Sequence, residues 1–160
     1  MALLVLAVSR ARKGPESELN ERYVKRILPL ARAQGFGSCT LRSFPESRKS
    51  EVAARQAEEA GKLEAALILP SYLFALDEKG KNFTSRDFAL TLAKLRDNGE
   101  KNIAFVIGGP DGLASSMKER AKFLLAFGAM TWPHQLACAM LMEQIYRSLA
   151  TLAGHPYHRD

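Results

Sequence analysis

Two patterns of hydrophobic and polar positions alternate along this chain of 160 residues. Short, continuous apolar runs, such as residues 2–8, are typical of strands that are covered on both faces. Longer segments carry apolar residues every three or four positions, as an amphipathic helix does; Leu19, Tyr23, Ile27 and Leu30 form one such stripe. The predicted strands cover residues 2–8, 40–44, 72–77, 103–107 and 129–131. The predicted helices cover residues 16–34, 50–69, 84–98, 113–127 and 134–153.

Strands and helices follow one another along the chain, with no Pro/Gly/Ser-rich linker between them. Such alternation predicts an α/β fold, in which a mostly parallel sheet carries helices on both faces. A chain of 160 residues is long enough to bury a core of its own without disulfides or metal. We therefore expect one domain over residues 1–160.

The composition is that of an ordinary globular protein, with 47% hydrophobic and 25% charged residues. Cys39 and Cys138 lie far apart and belong to no Cys/His cluster, so we expect reduced thiols in a cytoplasmic protein and no metal site. The apolar run at residues 2–8 is too short to cross a bilayer, and it lacks the basic lead-in and cleavage site of a signal peptide. We expect neither secretion nor a membrane partner.

The formal net charge of +6 favours a polyanionic partner, because Lys and Arg bind phosphates and release counterions. The basic residues are concentrated early in the chain, between residues 10 and 49. A single Lys or Arg is usually a solvated surface residue. The basic N-terminal half taken as a whole nevertheless favours nucleic acid.

Three loops follow predicted strands at the carboxyl edge of the sheet, where parallel sheets bind their ligands. They cover residues 76–81, 108–112 and 127–134. Each loop contains glycine, which allows a backbone to approach a ligand closely or to adopt a positive φ. Three such loops at one edge predict a pocket for a small ligand.

The second loop has neither of the familiar phosphate-binding spacings. Pro110 occupies the position of the second glycine in GxGxxG, and Leu113 follows Gly112 where GxxxxGK[ST] requires lysine. A dinucleotide or a nucleoside triphosphate is therefore poorly supported. Trp132, in the third loop, is either a core aromatic residue or a wall of the pocket.

The final residues of the chain combine groups suited to proton transfer and to phosphate binding. Tyr157, His158 and Arg159 follow His155 and Pro156, with no apolar residue after them to act as an anchor. A terminus normally frays unless something ties it down. Such a tail suggests a site into which it folds, and the alternative is an ordinary polar terminus.

Four segments of the chain stand out together: residues 107–113 (IGGPDGL), 128–134 (GAMTWPH), 143–147 (EQIYR) and 155–159 (HPYHR). In their order and spacing they resemble the RlmH family of ribosomal RNA large-subunit methyltransferases, which belongs to the SPOUT class. The resemblance extends over the full length of the chain.

The resemblance implies transfer of the methyl group of S-adenosylmethionine to N3 of a pseudouridine in a 23S rRNA stem-loop, within the assembled ribosome. It also implies a C-terminal trefoil knot, which is an exception to the usual rule of unknotted chains, and an active site at a homodimer interface. The implied cofactor-binding positions are Leu76, Gly108, Phe127, Gly128, Ala129, Met130, Thr131 and Trp132.

Methylation at N3 requires a proton acceptor and a group that stabilises negative charge on the flanking carbonyls. We take His158 as the candidate acceptor, because an imidazole with a pKa of about 6.5 is largely neutral in the cell. Arg159 or Arg147 would stabilise the base oxygens or hold a phosphate, and Tyr157 would stack on the base or bind it. The alternative for Arg147 is a helical ion pair with Glu143.

Cys138 departs from the family pattern, which has an arginine at this position. Loss of that arginine would lower affinity if it orders the dimer or contacts RNA. Two alternatives stay open. One is a related SPOUT methyltransferase that acts on tRNA or another rRNA base. The other is a non-catalytic ribosome-binding factor with the same fold, and the replacement at Cys138 is its only support.

Overall fold

The computed structural model describes residues 1–9 and 14–155. Strands and helices alternate along these residues, as the hydrophobic pattern predicts. The strands are β1 (Ala2–Val8), β2 (Ser38–Phe44), β3 (Tyr72–Lys81), β4 (Asn102–Ile107) and β5 (Phe123–Leu125). The helices are α1 (Pro15–Ala33), α2 (Val52–Ala66), α3 (Ser85–Asp97), α4 (Ser115–Arg120) and α5 (His134–Leu152).

The five strands form one sheet in the order β2-β1-β4-β3-β5, and each neighbouring pair is parallel. Val5 of β1 lies opposite Leu41 of β2 on one side and Phe105 of β4 on the other. The predicted α/β fold with a mostly parallel sheet is confirmed. All carboxyl ends of these strands therefore meet at one edge of the sheet.

Side chains of successive strand residues point to opposite faces, and each face is covered by helices. Leu3, Val5 and Ala7 of β1 belong to a core shared with α1, α3 and α5. Leu4 and Leu6 belong to a second core shared with α2 and α4. A continuous apolar strand is explained by this two-sided burial. Among the described residues, no helix is both long and apolar enough to cross a membrane.

The prediction of one helix over residues 113–127 is wrong. The helix α4 ends at Arg120, because Ala121 adopts an extended conformation (φ −66°, ψ 136°). The backbone N–H of Lys122 then donates to the carbonyl oxygen of Leu73, which brings the chain alongside β3 as strand β5. Phe123 lies opposite Phe74 in this pairing.

The prediction of a strand over residues 129–131 is also wrong, since this segment is a loop. Gly128 has a positive φ of 102°, which turns the chain away from an extended path. The hydrogen bonds here come from side chains: Thr131 donates to Glu78, and the Trp132 indole donates to the carbonyl of Phe127. These bonds replace a strand ladder.

Strand β3 is longer than its predicted extent of 72–77 and contains a bulge. Both Leu76 and Lys81 pair with Leu125, so the residues between them leave the ladder. A Cβ atom on Gly80 would lie 2.6 Å from the backbone carbonyl carbon of Leu124, so this position requires glycine. Residues 77–80 form the bulge.

Candidate active site

A cleft of about 870 Å³ lies at the carboxyl edge of the sheet, between the β3 bulge and the loops that follow β4 and β5. These are the three segments in which the sequence predicted a pocket. Seven of the eight predicted cofactor positions line the cleft: Leu76, Gly108, Phe127, Gly128, Met130, Thr131 and Trp132. Ala129 lies in the same loop and is exposed, but it does not line the cleft.

The loop after β4 forms a tight turn against one wall of the cleft. The N–H of Gly112 donates to the carbonyl oxygen of Gly109 at 2.9 Å, and Gly112 has a φ of +77°. A Cβ atom on Gly108 would lie 2.6 Å from the carbonyl carbon of Gly112. Position 108 therefore requires glycine because the backbone of Gly112 lies so close, whether or not a ligand is bound.

The same turn is held from outside the cleft by helix α2. The Arg55 guanidinium donates to both carboxylate oxygens of Asp111, from Nε at 2.6 Å and from Nη2 at 3.1 Å. The side-chain amide of Gln56 donates to the Asp111 carbonyl oxygen at 2.8 Å. Hydrogen bonds from Arg55 hold the pKa of the Asp111 carboxyl below its usual range, and those bonds raise the pKa of Arg55.

The carboxylate of Asp77 lies in the bulge of β3 and forms an ion pair with Lys118 of α4 at 2.5 Å. Burial of Asp77 by itself raises its pKa. The hydrogen bonds from the Lys118 ammonium and from the Lys79 backbone N–H outweigh that effect, and the pKa of Asp77 falls below its usual range. The carboxylate is therefore ionised at neutral pH, with its charge balanced by Lys118.

The third loop is tied to Asn82, the residue that follows β3, and to itself. The N–H of Gly128 donates to the Asn82 side chain at 3.1 Å, and the Trp132 indole N–H donates to the Phe127 carbonyl oxygen at 3.1 Å. Met130 and Trp132 remain exposed, at 74% and 41%. Trp132 is therefore a wall of the pocket and not a core aromatic residue.

The cleft also contains a histidine whose position the sequence pattern did not single out. His134 begins α5, and its Nε2 lies 3.4 Å from Oε1 of Glu46, in the segment after β2. Neither Glu46 nor the pair Arg55–Asp111 could be found by motif spacing, because the partners lie far apart in sequence. Among the described residues, no three His, Cys, Asp or Glu side chains are grouped as metal ligands would be.

The predicted catalytic residues are not all within the described part of the chain. Tyr157, His158 and Arg159 lie outside it. Arg147 lies on α5 and donates to Oε1 of Glu143 from Nε at 2.9 Å and from Nη2 at 2.6 Å. It does not line the cleft; Glu143 lines a smaller neighbouring pocket of about 330 Å³.

Cys138, where the family resemblance implies an arginine, is buried at the contact between α5 and α1. The side-chain amide of Asn20 approaches its sulfur at 3.7 Å. Burial raises the pKa of the Cys138 thiol to about 12, against the opposing effect of Asn20. This position lies beside Ala137, which lines the cleft, but Cys138 itself faces the protein interior.

The whole chain is similar to a set of known proteins. Residues 1–158 match a family described as "Predicted SPOUT methyltransferase". A protein of Bradyrhizobium sp. (strain ORS 278) named "Ribosomal RNA large subunit methyltransferase H" is 47% identical over 159 residues, which cover 99% of this chain and 98% of that protein. A protein of the same name from Methylocella silvestris is 47% identical over 160 residues and is matched in full.

Solved structures with a similar fold also exist. A probable methyltransferase from Bordetella pertussis Tohama I superposes with a TM-score of 0.51 at 17% identity, covering 92% of this chain and 95% of that one. A probable methylase family protein from Haemophilus influenzae Rd KW20 gives a TM-score of 0.50 at 11% identity, covering 99% of this chain and 70% of that one. At these identities the likeness concerns the fold.

Proposed function

Because this chain belongs to the SPOUT methyltransferase family, we propose that it methylates N3 of a pseudouridine in a 23S rRNA stem-loop, within the assembled ribosome, with S-adenosylmethionine as methyl donor. The observation that carries this proposal is the 47% identity over the full length to relatives named ribosomal RNA large subunit methyltransferase H. The net charge of +6 suits an RNA partner. Ribosomes are its substrate, so its compartment is the cytoplasm.

The cleft fits S-adenosylmethionine in size and in lining. Its volume of about 870 Å³ is within the range of about 300–1,000 Å³ that small-ligand sites occupy. Leu76, Phe127 and Met130 supply apolar surface for the adenine, and the backbone of residues 127–132 supplies groups for its polar edge. The carboxylate of Glu78 suits ribose hydroxyls or a positively charged group. When bound, S-adenosylmethionine supplies a methyl group on a positively charged sulfur.

The remaining chemistry falls to residues of the protein. His158 accepts the N3 proton of the base, and Arg159 stabilises the negative charge that spreads to the flanking carbonyl oxygens. Tyr157 stacks on the base or hydrogen-bonds to it. Arg147, which is paired with Glu143, is the alternative stabiliser and would bind a phosphate of the RNA. The support for these roles is the resemblance of the tail to that of the family.

The length of α5 supports an active site that is shared between two copies of the chain. The helical path from Ala137, at the cleft, to Leu152 measures about 22 Å at 1.5 Å per residue. The N–H of His155 still bonds to the Ala150 carbonyl, so the end of the helix holds the chain up to that point. Three further residues to His158 reach at most about 11 Å. This limit supports the proposal, which the family resemblance implies, that His158 acts at the cleft of a second protomer in a homodimer.

Exposed apolar side chains beside the cleft also favour a homodimer. Met130, Trp132 and Leu136 are 74%, 41% and 40% exposed, and they lie within seven residues of one another. Exposed apolar patches of this kind mark interaction surfaces. The C-terminal trefoil knot that the family implies stays a prediction.

The modified nucleoside identifies the reaction. Mass spectrometry of 23S rRNA from a strain without the gene should show a pseudouridine that lacks one methyl group. Purified protein with S-adenosylmethionine should restore that methyl group on isolated ribosomes. Methylation of tRNA or of a different rRNA base would instead establish the related methyltransferase. Methyl transfer to none of these RNAs, with ribosome binding retained, would establish the non-catalytic factor.

A variant pair separates catalysis from binding. His158→Ala and Arg159→Ala should abolish turnover while the protein still binds the methyl donor. Thr151→Ala is the matched control, since this threonine lies near the end of α5 and its hydroxyl bonds to the backbone of its own helix. Full turnover by both His158→Ala and Arg159→Ala would show that His158 is not the proton acceptor and that Arg159 does not stabilise the negative charge.

A further inference from the structure

We propose that Arg55 is a positioning residue for the methyl-donor site. It holds Asp111 so that the turn at residues 109–112 keeps the shape that binds S-adenosylmethionine, while Arg55 itself stays outside the cleft. The inference deepens the proposed function and rests on it, because it concerns the same cleft. Nothing in the motif spacing connects residues 55 and 111.

All three nitrogen atoms of the Arg55 guanidinium donate hydrogen bonds. Nε and Nη2 donate to the two carboxylate oxygens of Asp111, at 2.6 and 3.1 Å, which is the bidentate geometry that arginine forms with carboxylates. Nη1 donates to the carbonyl oxygens of Lys49 and Ser50, at 3.0 and 2.7 Å. Arg55 thus joins three segments: helix α2, the residues that precede it, and the glycine turn.

Two further contacts from α2 hold the same turn. Gln56 fixes the backbone of Asp111 through its carbonyl oxygen. Glu59 is 4% exposed, and its Oε2 would lie 3.3 Å from a Cβ atom placed on Gly109, so its carboxylate packs directly behind the turn. The other oxygen of Glu59 accepts the N–H of Ser47 at 2.8 Å. One face of α2 therefore supports the turn from behind.

A turn rich in glycine needs such support. Gly108, Gly109 and Gly112 lose more backbone freedom on ordering than other residues do, and they supply no side chains to fix the loop. Asp111 lines the cleft, whereas Arg55 does not. Loss of Arg55 would therefore leave the cleft wall in place but free to move, and ligand binding would have to order it.

The test is the dissociation constant for S-adenosylmethionine, measured by titration calorimetry on the full-length protein. We expect Arg55→Ala to weaken binding about tenfold, which is the scale of ordering one additional residue on binding. Arg55→Lys should fall between Arg55→Ala and the wild type, because one ammonium cannot make both bonds to the carboxylate. In the background of Asp111→Ala, removal of Arg55 should have no further effect.

Lys62→Ala is the matched control. Lys62 lies on the same helix and forms an ion pair of 2.8 Å with Glu58, but it does not touch the turn. Its removal should leave the dissociation constant unchanged. In methyl-transfer assays Arg55→Ala should raise the KM for the donor and leave kcat near the wild-type value. A general loss of structure would instead lower kcat as well, so the two explanations can be distinguished.

Wild-type affinity in Arg55→Ala, or an equal loss in Lys62→Ala, would overturn the positioning role and leave the proposed function intact. An additive effect in the double variant would also overturn it, since Arg55 would then act without Asp111. A wild-type protein that binds no S-adenosylmethionine would overturn the proposed function, and the positioning role with it. Arg55→Lys keeps the test decisive if Arg55→Ala fails to fold.

Discussion

The hydroxyl of Thr131 donates a hydrogen bond of 2.5 Å to Oε2 of Glu78, and this bond joins two of the loops that form the cleft. A second link runs from the N–H of Gly128 to the side chain of Asn82. Both loops contain residues that resemble the cofactor-binding positions of the family. The two links therefore set the width of the cleft on this side.

Removal of the Thr131 hydroxyl should weaken ligand binding more than it weakens the fold. Thr131 and Glu78 are both exposed, so water replaces the lost bond in the variant Thr131→Val, and its free energy of unfolding should change by less than about 1 kcal/mol. Calorimetric affinity for S-adenosylmethionine should drop severalfold, because the loop is then held by fewer contacts. Thr40→Val, at an exposed position of β2, serves as the control. Equal affinity in both variants would show that the link does not shape the cleft.

Gly80 should tolerate no side chain, because a Cβ atom there would lie 2.6 Å from both the carbonyl carbon and the carbonyl oxygen of Leu124. The obstacle is the backbone of β5, which cannot turn away as a flexible side chain can. Gly80→Ala should therefore lower the free energy of unfolding by about 2 kcal/mol or more, as overpacking does. Urea unfolding of the wild type and of Gly80→Ala measures this difference in free energy.

Gly61 provides the opposite case in the same protein. It lies inside α2, and a Cβ atom added there would meet no atom within 4 Å apart from its chain neighbours and the backbone of its own helix. Gly61→Ala should raise the free energy of unfolding by about 0.5–1 kcal/mol, since alanine favours the helix. Similar stability of Gly80→Ala and Gly61→Ala would contradict the bulge geometry.

The ion pair of Asp77 with Lys118 should make part of the stability depend on pH. Because the pKa of Asp77 is lower in the folded protein than in the unfolded chain, its ionised form favours folding. This contribution is complete above the unfolded pKa of about 3.9 and is lost as the pH falls through the folded value. The difference in unfolding free energy between the wild type and Asp77→Asn should therefore be largest near pH 6 and shrink below about pH 4.

Asp97→Asn is the control for this pH dependence, because its ion pair with Arg96 is on the surface and the Asp97 side chain is 64% exposed. Urea unfolding at a series of pH values gives all three profiles. A gap between the wild type and Asp77→Asn that stays constant or widens on acidification would contradict the assigned ion pair.

Both thiols should be unreactive in the native protein. Burial raises the pKa of Cys39 and of Cys138 to about 12, so the thiolate that reacts with disulfide reagents is scarce at pH 8. A chromogenic disulfide reagent should detect almost no thiol in buffer and two in denaturant. Rapid reaction of either thiol in buffer would contradict the burial of that cysteine.

Sequence reasoning predicted the elements whose hydrophobic pattern is unambiguous. The strand over residues 2–8 has the predicted bounds, and α5 differs from its prediction by one residue. The segment Phe123–Leu125 falls within a predicted helix because three apolar residues fit either pattern. Only its pairing with β3, about fifty residues earlier, decides that it is a strand.

The location of the cleft was predictable because all strands are parallel, so the loops after them converge at one edge. The contacts that shape it were not. Asp111 depends on Arg55 of α2, which lies outside the cleft, and Asp77 depends on Lys118 of α4, which lines the cleft. A single sequence shows no spacing that would connect residues so far apart.

A crystal structure of the protein with S-adenosylhomocysteine would locate the methyl-donor site, since that product keeps the adenosine of the donor. We expect the adenine to lie against Leu76, Phe127 and Met130, next to the glycine turn, in the cleft at the carboxyl edge. An empty cleft at saturating ligand, or a ligand bound elsewhere on the protein, would contradict this expectation.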